Sequence, residues 1–95
     1  MPQITKQTLK VLVLFLHNTS LYALQVCKLT SLPYGTVQPI LKRFEKAGWL
    51  VATQEDVDSS EVRRKARIYY TLTTNGRVFL LNEIDELRGI LDGIT

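Results

Sequence analysis

Residues 34–50 read Tyr34-Gly35-Thr36-Val37-Gln38-Pro39-Ile40-Leu41-Lys42-Arg43-Phe44-Glu45-Lys46-Ala47-Gly48-Trp49-Leu50. Val37, Ile40, Leu41 and Phe44 fall at offsets of three, four and seven along this stretch. That spacing puts them on one face of a helix and marks the face as core. Ala47-Gly48 ends the helix, because glycine readily takes the left-handed conformation that closes one. At about 100° per residue, the opposite face carries Gly35, Pro39, Lys42 and Lys46, with Gln38 and Arg43 flanking it. Pro39 removes a hydrogen bond and is best tolerated in a first turn. The helix therefore either begins near Gly35 or Thr36, or begins earlier and bends at Pro39.

Upstream, Ser20 is a predicted cap for a short helix from Leu21 to about Leu29, which Thr30-Ser31-Leu32-Pro33 breaks. Ile4 to Asn18 reads as a further helix. Thr5 can cap it, and Ile4 and Leu9 stand at the two positions of a hydrophobic staple. Leu9, Leu12, Val13 and Leu16 form an apolar stripe that Val11, Leu14 and Phe15 widen around the cylinder. A helix so apolar needs cover on more than one side, and a partner chain is the expected second cover. Downstream of Gly48 the pattern becomes alternating. Trp49–Gln54 and Arg67–Leu72 read as the strands of a β-hairpin with a charged tip over Glu55–Ala66. Thr73 can then cap a last helix from about Thr74 to the region of Leu91.

The predicted order is helix, helix, helix, strand, strand, helix. It describes a mostly helical α+β protein of winged helix-turn-helix type: three helices, a two-stranded hairpin wing and a C-terminal helix. Residues 1–95 are expected to form one domain, with 74–95 as its dimerisation helix. In such an arrangement the second helix of the helix-turn-helix pair enters the major groove. Gly35 and Pro39 are short enough to let its start approach the bases. Lys42, Arg43 and Lys46 suit phosphates or guanine edges, and Gln38 suits adenine. Glu45 balances nearby lysines. Tyr34 and Thr36 complete the expected contact set on this helix. Arg63, Arg64, Lys65 and Arg67 sit on the far side of the hairpin, where a projecting loop can follow the backbone or enter a minor groove. Solvated surface lysines on the helix, with Glu55, Asp56, Asp58 and Glu61 neutralising the arginines, are the competing account.

Charge is distributed in a way that supports a polyanionic partner. The 95-residue chain carries a net charge of only +3. Yet residues 1–54 hold six cations against one acid, and residues 63–77 add five cations and no acid. Acids gather in Glu55–Glu61 and Glu83–Asp92, so the basic surface is segregated from them. Cys27 is the sole cysteine and cannot close an internal disulfide, so the chain is expected to be cytoplasmic, with Cys27 packed as a small core residue. The longest apolar run, Val11–Leu16, falls far short of the roughly 20 residues a membrane span requires. One histidine and one cysteine offer no metal cluster, and no phosphate loop or nucleophile elbow is present, so no cofactor and no catalysis are expected. His17 is expected at the end of the first helix, where a cation suits the dipole.

Leu21-Tyr22, Tyr34 through Leu50, and Ala66-Arg67-Ile68-Tyr69-Tyr70-Thr71-Leu72-Thr73-Thr74-Asn75-Gly76 together resemble the PadR-like winged-helix regulators, with MarR-type and general winged-helix regulators close behind. The middle stretch resembles the family's Gly-Thr-Leu-Tyr-Pro, Arg-Leu-Glu and Gly-Trp-Leu pattern. The last stretch resembles its Arg-Lys-Tyr-Tyr, Leu-Thr and Gly pattern. Gln38 stands where the family commonly has tyrosine, Ala66 replaces an expected arginine, and the segment between helices two and three is shorter than in PadR. The resemblance implies a dimeric transcriptional repressor. It also implies small aromatic or drug-like effectors, for which this sequence offers no long C-terminal domain.

Dimerisation has a pattern of its own. Leu80, Ile84, Leu87, Leu91 and Ile94 are spaced four, three, four and three, which makes a short heptad seam. Val78 and Leu81 lie off the seam and are expected to pack inward. With Val11 and Phe15 of the first helix, the seam predicts a two-fold homodimer. Its two recognition helices would stand about 34 Å apart, one turn of DNA, and read a palindromic double-stranded site. The alternative is a winged-helix module that binds another protein, as an anti-repressor or assembly subunit would.

Overall fold

The computed structural model describes residues 5–56 and 66–94, with the side chain of residue 94 excepted. Its elements are α1 (Lys6–His17), β1 (Leu21–Tyr22), α2 (Ala23–Thr30), α3 (Tyr34–Lys46), β2 (Leu50–Gln54), β3 (Ile68–Leu72) and α4 (Thr74–Ile94). The strands form an antiparallel sheet in the order β1-β3-β2. This is the expected mostly helical α+β winged-helix architecture, with one strand more than the hairpin alone supplies.

That extra strand corrects the reading of Leu21-Tyr22. Instead of opening α2 under a Ser20 cap, the pair lies antiparallel to β3, Leu21 opposite Tyr70 and Tyr22 opposite Tyr69. Leu21 is thereby buried. Helix α2 starts only at Ala23, after the Tyr22 N–H has donated to Gln25 Oε1 at 3.2 Å. A pair of large residues with one apolar member suits a half-buried sheet edge as well as a first helical turn, and pairing with β3 decides between them.

Thr5 caps α1 as expected, in a reciprocal box. Thr8 N–H donates to Thr5 Oγ1 at 3.2 Å, and Thr5 N–H donates to Thr8 Oγ1 at 2.7 Å. Ile4, the proposed staple partner of Leu9, lies outside the described residues. Val11, Leu12 and Phe15 are buried, and Leu9, Val13, Leu14 and Leu16 are partly covered. The cover comes from α2, β3 and α4 of the same chain. Val11 and Phe15 are only 0% and 2% exposed within their own protomer, which removes them from the predicted dimer surface.

Helix α3 begins at Tyr34, five residues ahead of Pro39, which therefore lies inside it. Val37, Ile40, Leu41 and Phe44 are all buried, as their spacing requires. At its end, Gly48 has φ +83° and donates to Glu45 C=O at 3.0 Å, while Trp49 N–H donates to Phe44 C=O at 2.9 Å. This pair of bonds satisfies carbonyls that the helix would leave open and turns the chain into β2.

Trp49 is the joint between α3, the sheet and α4. Its ring lies 5.5 Å from Phe44 and stacks on Phe79 at 4.0 Å with a 15° interplanar angle. Thr73 N–H donates to Trp49 C=O at 2.9 Å, and Thr73 Oγ1 donates to Gly48 C=O at 2.7 Å while accepting from Gly76 N–H at 3.0 Å. Thr73 is thus the cap anticipated for α4, and it also ties that helix to the α3–β2 turn. Leu80 is fully buried and Ile84 packs against the core, whereas Val78 and Leu81 are exposed. The expected assignment is reversed at these positions: Leu80 belongs to the protomer core rather than to a dimer seam, and Val78 and Leu81 face outward. Leu87, Ile90 and Leu91 on the distal half are exposed.

Candidate nucleic-acid interface

The outward side of α3 carries what its periodicity puts there. Tyr34, Gly35, Pro39, Lys42, Arg43 and Lys46 are exposed, and Thr36 and Gln38 are half-buried at the margins. A Cβ at Gly35 would meet nothing within 4 Å, so the start of the helix presents an open surface. Lys42 pairs with Glu45 at 3.7 Å across one turn. Both side chains are well exposed, so this pair adds little stability and leaves the ammonium available to a stronger anion. The Tyr70 phenol, and after it the Glu45 carboxylate, hold Lys42 above its ordinary pKa, so the residue stays cationic throughout the neutral range.

Between the start of α3 and the base of the hairpin lies an open cleft of about 530 Å³ lined by Tyr22, Leu24, Tyr34, Gln38, Arg67 and Tyr70, among others. Two parts of the sequence-predicted contact set, Tyr34 and Gln38 from the helix and Arg67 from the hairpin, meet in it. Arg63, Arg64 and Lys65 lie outside the described residues. Arg67 is held at the cleft by Tyr22, whose ring centroid is 4.3 Å from the guanidinium carbon. Tyr22 in turn meets Tyr69 edge-on at 5.5 Å. At the cleft, Tyr70 is 1% exposed and its hydroxyl is buried.

Sequence reasoning found Arg67 but missed Tyr22, Leu24 and Tyr70 as parts of this surface. For Tyr70 the signal was the alternation of β3, where Ile68, Tyr70 and Leu72 share one face and Tyr69 and Thr71 the other. Nothing local to Leu21-Tyr22 says that it will pair with that strand. Among the described residues no group of histidine, cysteine, aspartate and glutamate side chains is placed to hold a metal ion. Among those residues, too, no helix is long and apolar enough to cross a membrane.

A family model, the transcriptional regulator PadR-like family, matches residues 17–82. The chain belongs to that family of transcriptional regulators. Solved structures agree on the fold. A PadR family transcription regulator from Clostridium difficile R20291 is 23% identical with a TM-score of 0.79, and the match covers 95% of each chain. The YusO protein from Bacillus subtilis is 19% identical with a TM-score of 0.80, covering 96% of this chain and 60% of that one. BpsR from Bordetella bronchiseptica, whose DNA binding is described as regulated by 6-hydroxynicotinic acid, is 19% identical with a TM-score of 0.76. The chain spans about 61% of the length of BpsR. No curated protein matches it.

Proposed function

We propose that this chain is a sequence-specific double-stranded DNA-binding repressor that acts as a homodimer on a palindromic site. One observation carries the reading: Arg67, at the base of the hairpin, lines the same cleft as Tyr34 and Gln38 of α3. The helical edge bearing Lys42, Arg43 and Lys46 and the basic hairpin therefore address one partner. A duplex fits both at once, with the helix in the major groove and the hairpin along the adjacent backbone. Tyr34, Gly35, Thr36, Gln38 and Pro39 stand at the end that approaches base edges. Arg63, Arg64 and Lys65 extend the cationic segment that Arg67 begins.

Homodimerisation rests on the distal half of α4. Leu87, Ile90 and Leu91 are 44%, 60% and 65% exposed, an apolar strip on a helix that has left its own core behind. Ile84, half-buried, borders it. The proposed seam thus keeps Ile84, Leu87 and Leu91, gains Ile90, and adds Ile94 by its heptad position alone. A cytoplasmic location follows from the regulatory role. An effector belongs to the same proposal: the cleft beside α3 has room for one aromatic ring, and an acid of the kind named for BpsR would occupy ground that DNA needs.

Selection of bound sequences from a random duplex pool tests the reading. Recovery of a recurrent inverted repeat is the expected result. Absence of duplex binding at low salt would instead favour a winged-helix module that docks on another protein.

A further inference from the structure

We infer that Tyr22 is a positioning residue for Arg67, holding its guanidinium over the ring and ready for DNA, and that strand β1 exists in part to place it there. The inference rests on the DNA-binding reading of the same surface and goes beyond it by assigning a role to a residue that makes no expected contact with DNA itself.

The register is the source of the contact. Tyr22 lies directly opposite Tyr69. Arg67 stands two residues before Tyr69, on the same side of the extended chain, where Arg67 C=O accepts from Glu55 N–H at 2.7 Å and continues the hairpin ladder. Arg67 is therefore the diagonal neighbour of Tyr22, a separation of about 7–8 Å that a long side chain spans across the sheet face. It does so at 4.3 Å from the ring centroid. Tyr69, edge-on to Tyr22 at 5.5 Å, keeps the ring from turning away.

What the stack leaves unused matters more than its strength. A guanidinium held over a ring face is attracted without an acceptor atom, so its N–H donors remain free for a phosphate or base edge. An ion pair would spend donors and charge together. The contrast is visible on α3, where Lys42 is tied to Glu45 at 3.7 Å. Fixing the orientation of Arg67 in advance lowers the side-chain entropy lost on binding, which for an arginine is large.

The test uses the full chain, a mixed-sequence duplex and a salt series. Arg67→Ala is expected to weaken binding and to reduce the slope of log affinity against log salt by about one. Tyr22→Leu, which keeps an apolar side chain but removes the ring, is expected to weaken binding about three-fold. Tyr22→Phe should match the parent, since the ring face survives. In the Arg67→Ala background, Tyr22→Leu should cost nothing further. Independent, additive losses, a Tyr22→Phe protein as weak as Tyr22→Leu, or tighter binding by Tyr22→Leu would each overturn the inference. Should Tyr22→Leu fail to fold, Tyr22→Trp takes its place: its larger face should hold or raise affinity when Arg67 is present and do nothing when it is absent. An equal change in both backgrounds overturns the inference. A parent chain with no salt-dependent duplex binding counts against the DNA reading; a binding parent in which Tyr22 and Arg67 act separately counts against this inference alone.

Discussion

At the scale of single residues, Gly76 and Lys42 show how differently structural and functional positions respond to change. A Cβ on Gly76 would run into the Trp49 carbonyl and lie 2.9 Å from Leu72 Cδ1, because α4 starts hard against the α3–β2 turn. The carbonyl is backbone and cannot step aside without disturbing the bond it accepts from Thr73. Gly76→Ala is predicted to destabilise the fold by about 1–3 kcal/mol, read as a lower urea midpoint. An unchanged midpoint would mean that the turn yields more easily than this packing allows. Lys42 is the opposite case. Its ion pair with Glu45 is exposed, so Lys42→Ala should leave the urea midpoint nearly unmoved. It should nonetheless weaken duplex binding and take about one from the salt slope. Loss of stability without loss of affinity would remove Lys42 from the interface.

Among the elements, α4 has two halves with separate tasks. Phe79, Leu80 and Ile84 bind it to Trp49 and the core, whereas Leu87, Ile90 and Leu91 emerge into solvent. The expectation for Leu91→Glu is an intact helical spectrum with a shift from dimer to monomer by light scattering, since a charge in an apolar seam is expelled from it. A dimer that survives this change would have to be built elsewhere. Helix α3 is divided lengthwise instead of end to end. Its buried stripe of Val37, Ile40, Leu41 and Phe44 is what holds Lys42, Arg43 and Lys46 outward, so the cationic edge is a consequence of core packing.

For the whole molecule, the proposed homodimer makes the relation between two protomers decide what sequence is read. Recognition helices one turn of DNA apart, about 34 Å, predict that altering half-site spacing by a few base pairs costs far more affinity than altering the bases between the half-sites. Footprinting on a spacing series would show it, and tolerance of every spacing would point to protomers that bind singly. The proposed effector would act through the same geometry, from the cleft beside α3. A ring seated between Tyr34, Gln38 and Arg67 stands between the two parts that would straddle the backbone.

Much of this could be read directly from the residue order. The face of α3, its glycine stop, the Thr5 and Thr73 caps and the two longer strands depend on periodicity and capping chemistry, which act within a few residues and leave local marks. Leu21-Tyr22 carried no such mark, and neither did the choice between Leu80 and Val78 as the inward side of α4. Both were settled by contacts with residues distant in sequence: β1 by its pairing with β3, and α4 by the Trp49–Phe79 stack that sets the helix's rotation. Sequence alone determined the two faces of α3, its stop and the caps of α1 and α4. Only the tertiary structure decided which side chains meet, because strand pairing and helix rotation are properties of two segments together and belong to neither one alone.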